Sequence, residues 1–339
     1  MYMKRIVVLL TLLVGFSSSV FVGGFFTSDK TKYNNDFVRI FPPHAADLLE
    51  TKYLGKNVSF AGTAGKTIYL RDKSVSDVLL SVDWNLKDTT RIQIKEITGS
   101  EVFIDSPYFF VQSGHLAKLR RGDIKDWNID TIFDSIPGFT AVQSISENSV
   151  VLRTIDLKRR KNLFVKSTEP RAYHDALETQ VDGILCTDGH LKYSKEYHRL
   201  VYAYSYRNQF LVLDTNLNVI LKGKTIDTTS LARISVEEID GKLTMSSPPF
   251  IVNQGIAVSG KFLFVNSKLV ARNEIQDDVD KHSMIDVYNI LDGSYKFSFY
   301  IQNVEGARMR SFIVQDLSMF AIFPQRISRY DVPPVYLTE

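Results

Sequence analysis

Apolar and polar positions alternate with a period of two along most of the chain, and the pattern is clearest from Leu200 to Asp227. There Tyr202, Tyr204 and Tyr206 alternate with Val201, Ala203 and Ser205, which puts the tyrosines on one face of a strand. The polar Arg207-Asn208-Gln209 turns the chain into Phe210-Leu211-Val212-Leu213, and Asp214-Thr215-Asn216 turns it again into Val219-Ile220-Leu221. Asp and Asn favour such turns because their side chains bond the nearby backbone and tolerate unusual φ. The stretch predicts an up-and-down β-meander with no helical period in it.

Imperfect copies recur. Thr67–Leu70, Val78–Asp83 and Arg91–Ile94 form one; Val102–Ile104, Tyr108–Val111, Leu116–Leu119 and Ile129–Phe133 form the next. Thr140–Val142, Val150–Asp156 and Asn162–Val165 form a third. Beyond the central meander come Gly255–Val258, Phe262–Val265, Ile285–Tyr288 and Phe297–Tyr300, then Ser311–Val314, Met319–Phe323 and Ile327–Asp331. Several apolar runs end in Asp or Asn at a hairpin: Asp83, Asp156, Asp214, Asn289 and Asp331. Repeated four-strand units of about 40 to 50 residues indicate a β-propeller. The expected fold is all-β, a six-bladed β-propeller over residues 37–339. Phe37–Phe41, halted by Pro42-Pro43, is expected to be the N-terminal strand that closes the ring and removes its open edges. Ala45–Leu54 reads as one or two helical turns, and Ile234–Met245 as an inserted hairpin or an extra blade.

The amino terminus changes the picture of where this domain resides. Lys4 and Arg5 precede Ile6–Phe26, a run without charge and long enough for a hydrophobic helix that crosses a bilayer. Residues 1–27 are expected to be a signal anchor or a cleaved signal peptide, and residues 28–36 a polar tether. Basic residues stay on the cytoplasmic side, so the domain is expected on the periplasmic side of the inner membrane, or free in the periplasm if residues 6–26 are removed.

The segments FVRIFPPH (Phe37–His44), HLKYSKEYHRLVYAYSYRNQFLVLDTNLN (His190–Asn218) and SMIDVYNILDGSYKFSFYI (Ser283–Ile301) resemble exported six-bladed, TolB-like propellers of Bacteroidetes. The resemblance covers most of the chain after the apolar run and implies the fold and the lineage. It transfers no active site. The lipoprotein cysteine common among such proteins is missing here.

Composition fits a globular protein rich in sheet: 44% apolar and 23% charged residues, with 22 Phe and 16 Tyr. A net charge of +3 over 339 residues gives no footprint for nucleic acid. Cys186 is the only cysteine, so no intrachain disulfide forms; it reads as a small buried hydrophobe at an apolar strand start. Asp188-Gly189-His190 with His198 falls short of the ligands zinc requires, and Gly189 suggests a turn there. Asp277-Asp278-Val279-Asp280 lacks the spacing of a calcium loop. Lys158-Arg159-Arg160-Lys161 reads as a solubilising hairpin tip, or as an anion-binding patch. No phosphate loop, nucleophile elbow or metalloprotease helix is present, so no catalytic residue, metal or cofactor is expected. Asp188, His190, Arg207, Arg308 and Arg310 remain as candidate binding residues; the arginines either line an axial channel and bind anions or pair with acidic neighbours. The function expected is a scaffold for an envelope protein partner or a small anionic ligand. The alternative is an extracytoplasmic hydrolase or lyase working at the axis.

Overall fold

The computed structural model describes residues 36–339, except 76, 95–99, 334, 335 and 337–339. Its strands form a ring of six four-stranded antiparallel sheets plus one small hairpin. The first strand, β1 (Asp47–Tyr53), joins the last blade. Blade one is β2 (Val58–Ala64), β3 (Thr67–Asp72), β4 (Val78–Asp83) and β5 (Thr89–Gln93). Blade two is β6 (Glu101–Asp105), β7 (Tyr108–Ser113), β8 (Lys118–Asp123) and β9 (Asn128–Ile132). Blade three is β10 (Ala141–Ser146), β11 (Ser149–Asp156), β12 (Lys161–Lys166) and β13 (Glu169–His174). Blade four is β14 (Gly189–Ser194), β15 (Arg199–Tyr204), β16 (Gln209–Leu213) and β17 (Val219–Lys224). The hairpin β18 (Val236–Ile239) and β19 (Lys242–Met245) follows, so Ile234–Met245 is an insertion and not a blade. Blade five is β20 (Asn253–Ser259), β21 (Phe262–Ser267), β22 (His282–Asn289) and β23 (Tyr295–Gln302); blade six is β24 (Ser311–Gln315), β25 (Ser318–Phe323) and β26 (Arg326–Asp331) with β1 outermost.

The N-terminal region departs from expectation. Asp47–Tyr53 is a strand, not a helical turn, and it pairs antiparallel with β26 from Asp47 opposite Asp331 to Tyr53 opposite Arg326. Phe37–Phe41 belongs to no sheet. It lies as a strap against blade five, where Ser298 N donates to Ile40 O at 2.8 Å and the Phe41 ring stacks on Tyr300 at 4.8 Å. Arg39 anchors the strap. Its Nε and Nη2 grip Asp286 at 2.7 and 3.0 Å, Nη1 reaches Leu269 O at 2.9 Å and Glu274, and Nη2 reaches Ser267 Oγ at 2.9 Å. Every guanidinium N–H is thus used, which is the condition for burying that charge. The polar register of Arg39 decides against a ladder strand here, because its side chain plugs into blade five.

The six cores lie between blades. One apolar cluster fills each interface, including that of the sixth and first blades, where Phe320, Ile322 and Ile327 meet Ile68, Leu70 and Val82. Five of the six second strands are therefore covered on both faces: β7, β11, β15, β21 and β25 are almost wholly buried, while β3 is buried at alternate positions. This is why those strands read as continuous apolar runs while outer strands such as β5 and β17 do not. In β15, Tyr202 and Tyr204 pack toward blade three, and Val201 and Ala203 toward blade five. At Gly62, φ is +147° and an added Cβ would sit 2.4 Å from Ile104 O, so only glycine allows β2 and β6 to approach this closely.

The ring has two unlike faces. Turns from first to second and from third to fourth strand share one face. They are short, two residues at 65–66, 106–107 and 260–261, and at most five at 84–88, 214–218 and 290–294. Asp83, Asp123, Asp214 and Asn289 brace these turns by accepting backbone N–H groups two residues on, at 2.7 to 3.0 Å. Second-to-third turns and blade crossings share the opposite face. Its connections run to 175–188, 225–252 and 268–281, and include the β18–β19 hairpin and the short helix α1 (Gln276–Lys281).

Candidate functional site

The six first strands, β2, β6, β10, β14, β20 and β24, surround the axis and enclose a cavity of about 460 Å³. Its wall is mixed: Phe60, Phe103, Val142, Val258 and Ile313 come from five blades, interleaved with polar residues such as Thr63, Gln112, Gln143 and Gln315. Blade four contributes Lys192. Counted back from the hairpin, Lys192 pairs with Val201 two positions before the last rung, Ser194 with Arg199. Phe103 in blade two, Ala257 in blade five and Ile313 in blade six hold the same position. Lys192 is exposed and lines the cavity, and the protein around it lowers its ammonium pKa by desolvation. Among the described residues it has no ion pair or hydrogen bond.

At the mouth on the short-turn face, Lys195 of blade four reaches across to blade two. Its Nζ lies 2.6 Å from Asp105 Oδ1 and 3.2 Å from Ser106 O. Asp105 also lines the cavity, so its charge is already matched by Lys195 and does not neutralise Lys192.

At the other end of β14, Asp188 and His190 sit beside blade three. Arg153 Nη1 lies 2.7 Å from Asp188 Oδ1, and donates to Tyr202 Oη at 2.7 Å; Arg153 Nε donates to Thr140 Oγ1 at 2.8 Å. Tyr202 Oη in turn donates to Thr187 O at 2.6 Å. Burial lowers the pKa of His190, with Lys192 acting in the same direction and Asp188 and an Asn253 backbone bond opposing it. Burial raises the phenol of Tyr202. His, Asp and Arg do gather here, yet Arg153, Asp188 and Tyr202 spend their bonds joining blade three to blade four.

The remaining candidates are dispersed. Arg207 is fully buried in the β15–β16 turn, where it donates to Gln209 Oε1 and Glu178 O, both at 2.8 Å, and stacks 3.6 Å over Tyr204. Arg308 is exposed and paired with Asp280 at 3.1 Å; Arg310 is exposed and donates to Asn57 at 2.8 Å. None of Asp188, His190, Arg207, Arg308 or Arg310 lines the axial cavity. Gly189 opens β14 and does not make a turn. Cys186 is buried, in a turn and not a strand start: Asp182 accepts the N–H groups of Ile184, Leu185 and Cys186, and Cys186 Sγ bonds Asp182 O. In the basic run, Arg159 pairs with Asp156, Arg160 with Glu238 and Lys161 with Asp175, which suits an exposed tip held by its neighbours. Among the described residues no three His, Cys, Asp or Glu side chains are placed to hold a metal ion.

Sequence reasoning missed Lys192 because it missed β14. The signal was there: in His190-Leu191-Lys192-Tyr193-Ser194, Leu191 and Tyr193 alternate with polar residues, the pattern of a half-buried strand.

No protein-family model matches this chain, and no curated protein matches it in sequence. Solved structures share its architecture. A member of the DUF4221 family from Bacteroides vulgatus is 12% identical, covering 88% of this chain and 98% of that one at a TM-score of 0.50. Virginiamycin B lyase from Staphylococcus aureus is 10% identical over 85% of this chain and 100% of that one, TM-score 0.48. BamB from Moraxella catarrhalis is 10% identical over 84% and 97%, TM-score 0.42. At 12% identity the likeness to the DUF4221 member is one of fold, and it carries neither a site residue nor a reaction over to this chain.

Proposed function

We propose that this protein is an exported, TolB-like cell-envelope scaffold that binds another protein on the face of its long connections. The observation that carries the reading is the asymmetry of the disc. The inserted hairpin, α1 and every connection longer than five residues stand on one face, and loops held by a rigid frame are where recognition concentrates. Large apolar side chains are exposed there: Leu157 (81%), Ile275 (69%), Leu231 (68%) and Leu116 (55%). Between blades two and three the same face carries an open groove of about 760 Å³, lined by Phe139, Ile155, Leu157 and Tyr173. Exposed apolar surface around a groove suits a protein partner. The commitment of Arg153, Asp188 and Tyr202 to inter-blade bonds favours binding over a hydrolase or lyase reading.

Export rests on the charge-free run 6–26 behind Lys4 and Arg5, which lies outside the described residues; among the described residues no helix is long and apolar enough to cross a membrane. In the proposal that run holds the domain at the periplasmic side of the inner membrane, or is removed on export.

Two measurements test this. A photo-crosslinking residue at position 157 is expected to capture a discrete partner in cells, one lost in Leu116→Asp, while the same residue at position 291 on the short-turn face captures none. Equal capture from both faces, or none from 157, ends the docking assignment. Protease added to spheroplasts is expected to digest the domain; digestion only after the inner membrane is broken ends the export assignment.

A further inference from the structure

We propose that the axial cavity is a binding site for a small organic monocarboxylate, whose carboxylate pairs with Lys192 and whose apolar body rests on Phe60, Phe103, Val142, Val258 and Ile313. This stands apart from the docking face, since it concerns the axis and opens on the other side of the disc.

Lys192 is an exposed ammonium in the wall of the axial cavity, with no carboxylate paired to it among the described residues. At the same rung three other blades place Phe103, Ala257 and Ile313, so packing the ring does not require a lysine. The nearest acid among the cavity walls, Asp105, is engaged by Lys195 at 2.6 Å. What remains is one unpaired positive charge beside Phe60, Phe103, Val142, Val258 and Ile313 in a wall of mixed polarity, within a volume of about 460 Å³ that falls in the range of small-molecule pockets. One cation without an arginine fork or a nest of backbone N–H groups matches a monoanion better than a phosphate dianion. The five apolar side chains in that wall offer contacts to a hydrocarbon or aromatic body behind the charge. Entry passes the Lys195–Asp105 pair, whose lysine is 58% exposed; an ion pair this wet is worth about 1 kcal/mol or less and yields to an incoming acid.

Calorimetric titration of the full-length protein with benzoate, octanoate, octanol and inorganic phosphate tests the assignment. Benzoate or octanoate is expected to bind saturably with one site per chain, with octanol and phosphate at least about tenfold weaker, a difference of about 1.4 kcal/mol. Lys192→Gln is expected to lose at least about tenfold in carboxylate affinity, and Lys192→Arg to retain it. Ile313→Trp, which places an indole over the apolar part of the wall beside the site, is expected to weaken binding at least about tenfold with the charge still in place. Thermal melts of each variant without ligand confirm that the ring is folded. Undiminished carboxylate binding by folded Lys192→Gln, equal binding of octanol, preferred binding of phosphate, or no binding of either acid overturns the proposal.

Discussion

Single residues in this ring are judged by whether their polar atoms are matched. Arg39 is buried with all its donors used by Asp286, Glu274, Ser267 and the Leu269 carbonyl. Arg39→Ala strands Asp286 in blade five, and breaking a buried pair from one side costs about 3–5 kcal/mol. Urea unfolding is expected to show that loss, with Asp286→Asn partly relieving it in the double variant. His190 gives a pH signature. Burial holds its folded pKa below the ordinary value, so the unfolded chain, with a pKa of about 6.5, takes up a proton first as pH falls. Stability then declines as pH drops through about 6.5 and is unaffected by this group at higher pH. The difference in unfolding free energy between pH 7.5 and pH 5.5 is expected to be smaller in His190→Gln than in the parent. An identical drop in both would show that His190 is protonated equally in the two states.

Strands and turns carry the next set of consequences. β1 supplies the outer strand of blade six from the other end of the sequence, so the ring is held shut by one ladder. A chain beginning at residue 55 lacks that ladder and exposes the edge of β26, which favours aggregation; a chain beginning at residue 36 keeps it. Size-exclusion chromatography is expected to separate the two, the longer eluting as a discrete species and the shorter in the void. A shorter chain that elutes as a folded species would mean that β1 is dispensable. At the closest approach of blades one and two, Gly62→Val drives a Cβ into the Ile104 carbonyl at a φ that valine avoids. A loss of about 1–3 kcal/mol is expected, read as a lowered urea midpoint. These elements also show what the pattern hides. Most second strands announced themselves as apolar runs because blades cover them twice, whereas β2, β13 and β14 are half-polar and easily taken for loops.

At the scale of the molecule, each blade is sealed only by its neighbours, through six apolar clusters that include the one between blades six and one. Closure couples them, so one cooperative unfolding transition is expected for the domain, coincident by tyrosine fluorescence and far-ultraviolet circular dichroism. Two well-separated transitions would mean that part of the ring stands alone. The two faces follow from the same topology, since tight turns gather on one side and long crossings on the other. The strand period, the turn residues such as Asp83 and Asp214, and the repeat spacing were sufficient to read a propeller of about six blades from the chain, because these are local features written within a few residues of each other; that Ile234–Met245 is a hairpin and not a further blade came with the structure. The closing strand, the seat of Arg39 in blade five and the isolation of Lys192 at the axis came only with the tertiary structure. Each depends on groups far apart in the chain meeting across the ring, and no local pattern records whether a charge will find its partner there.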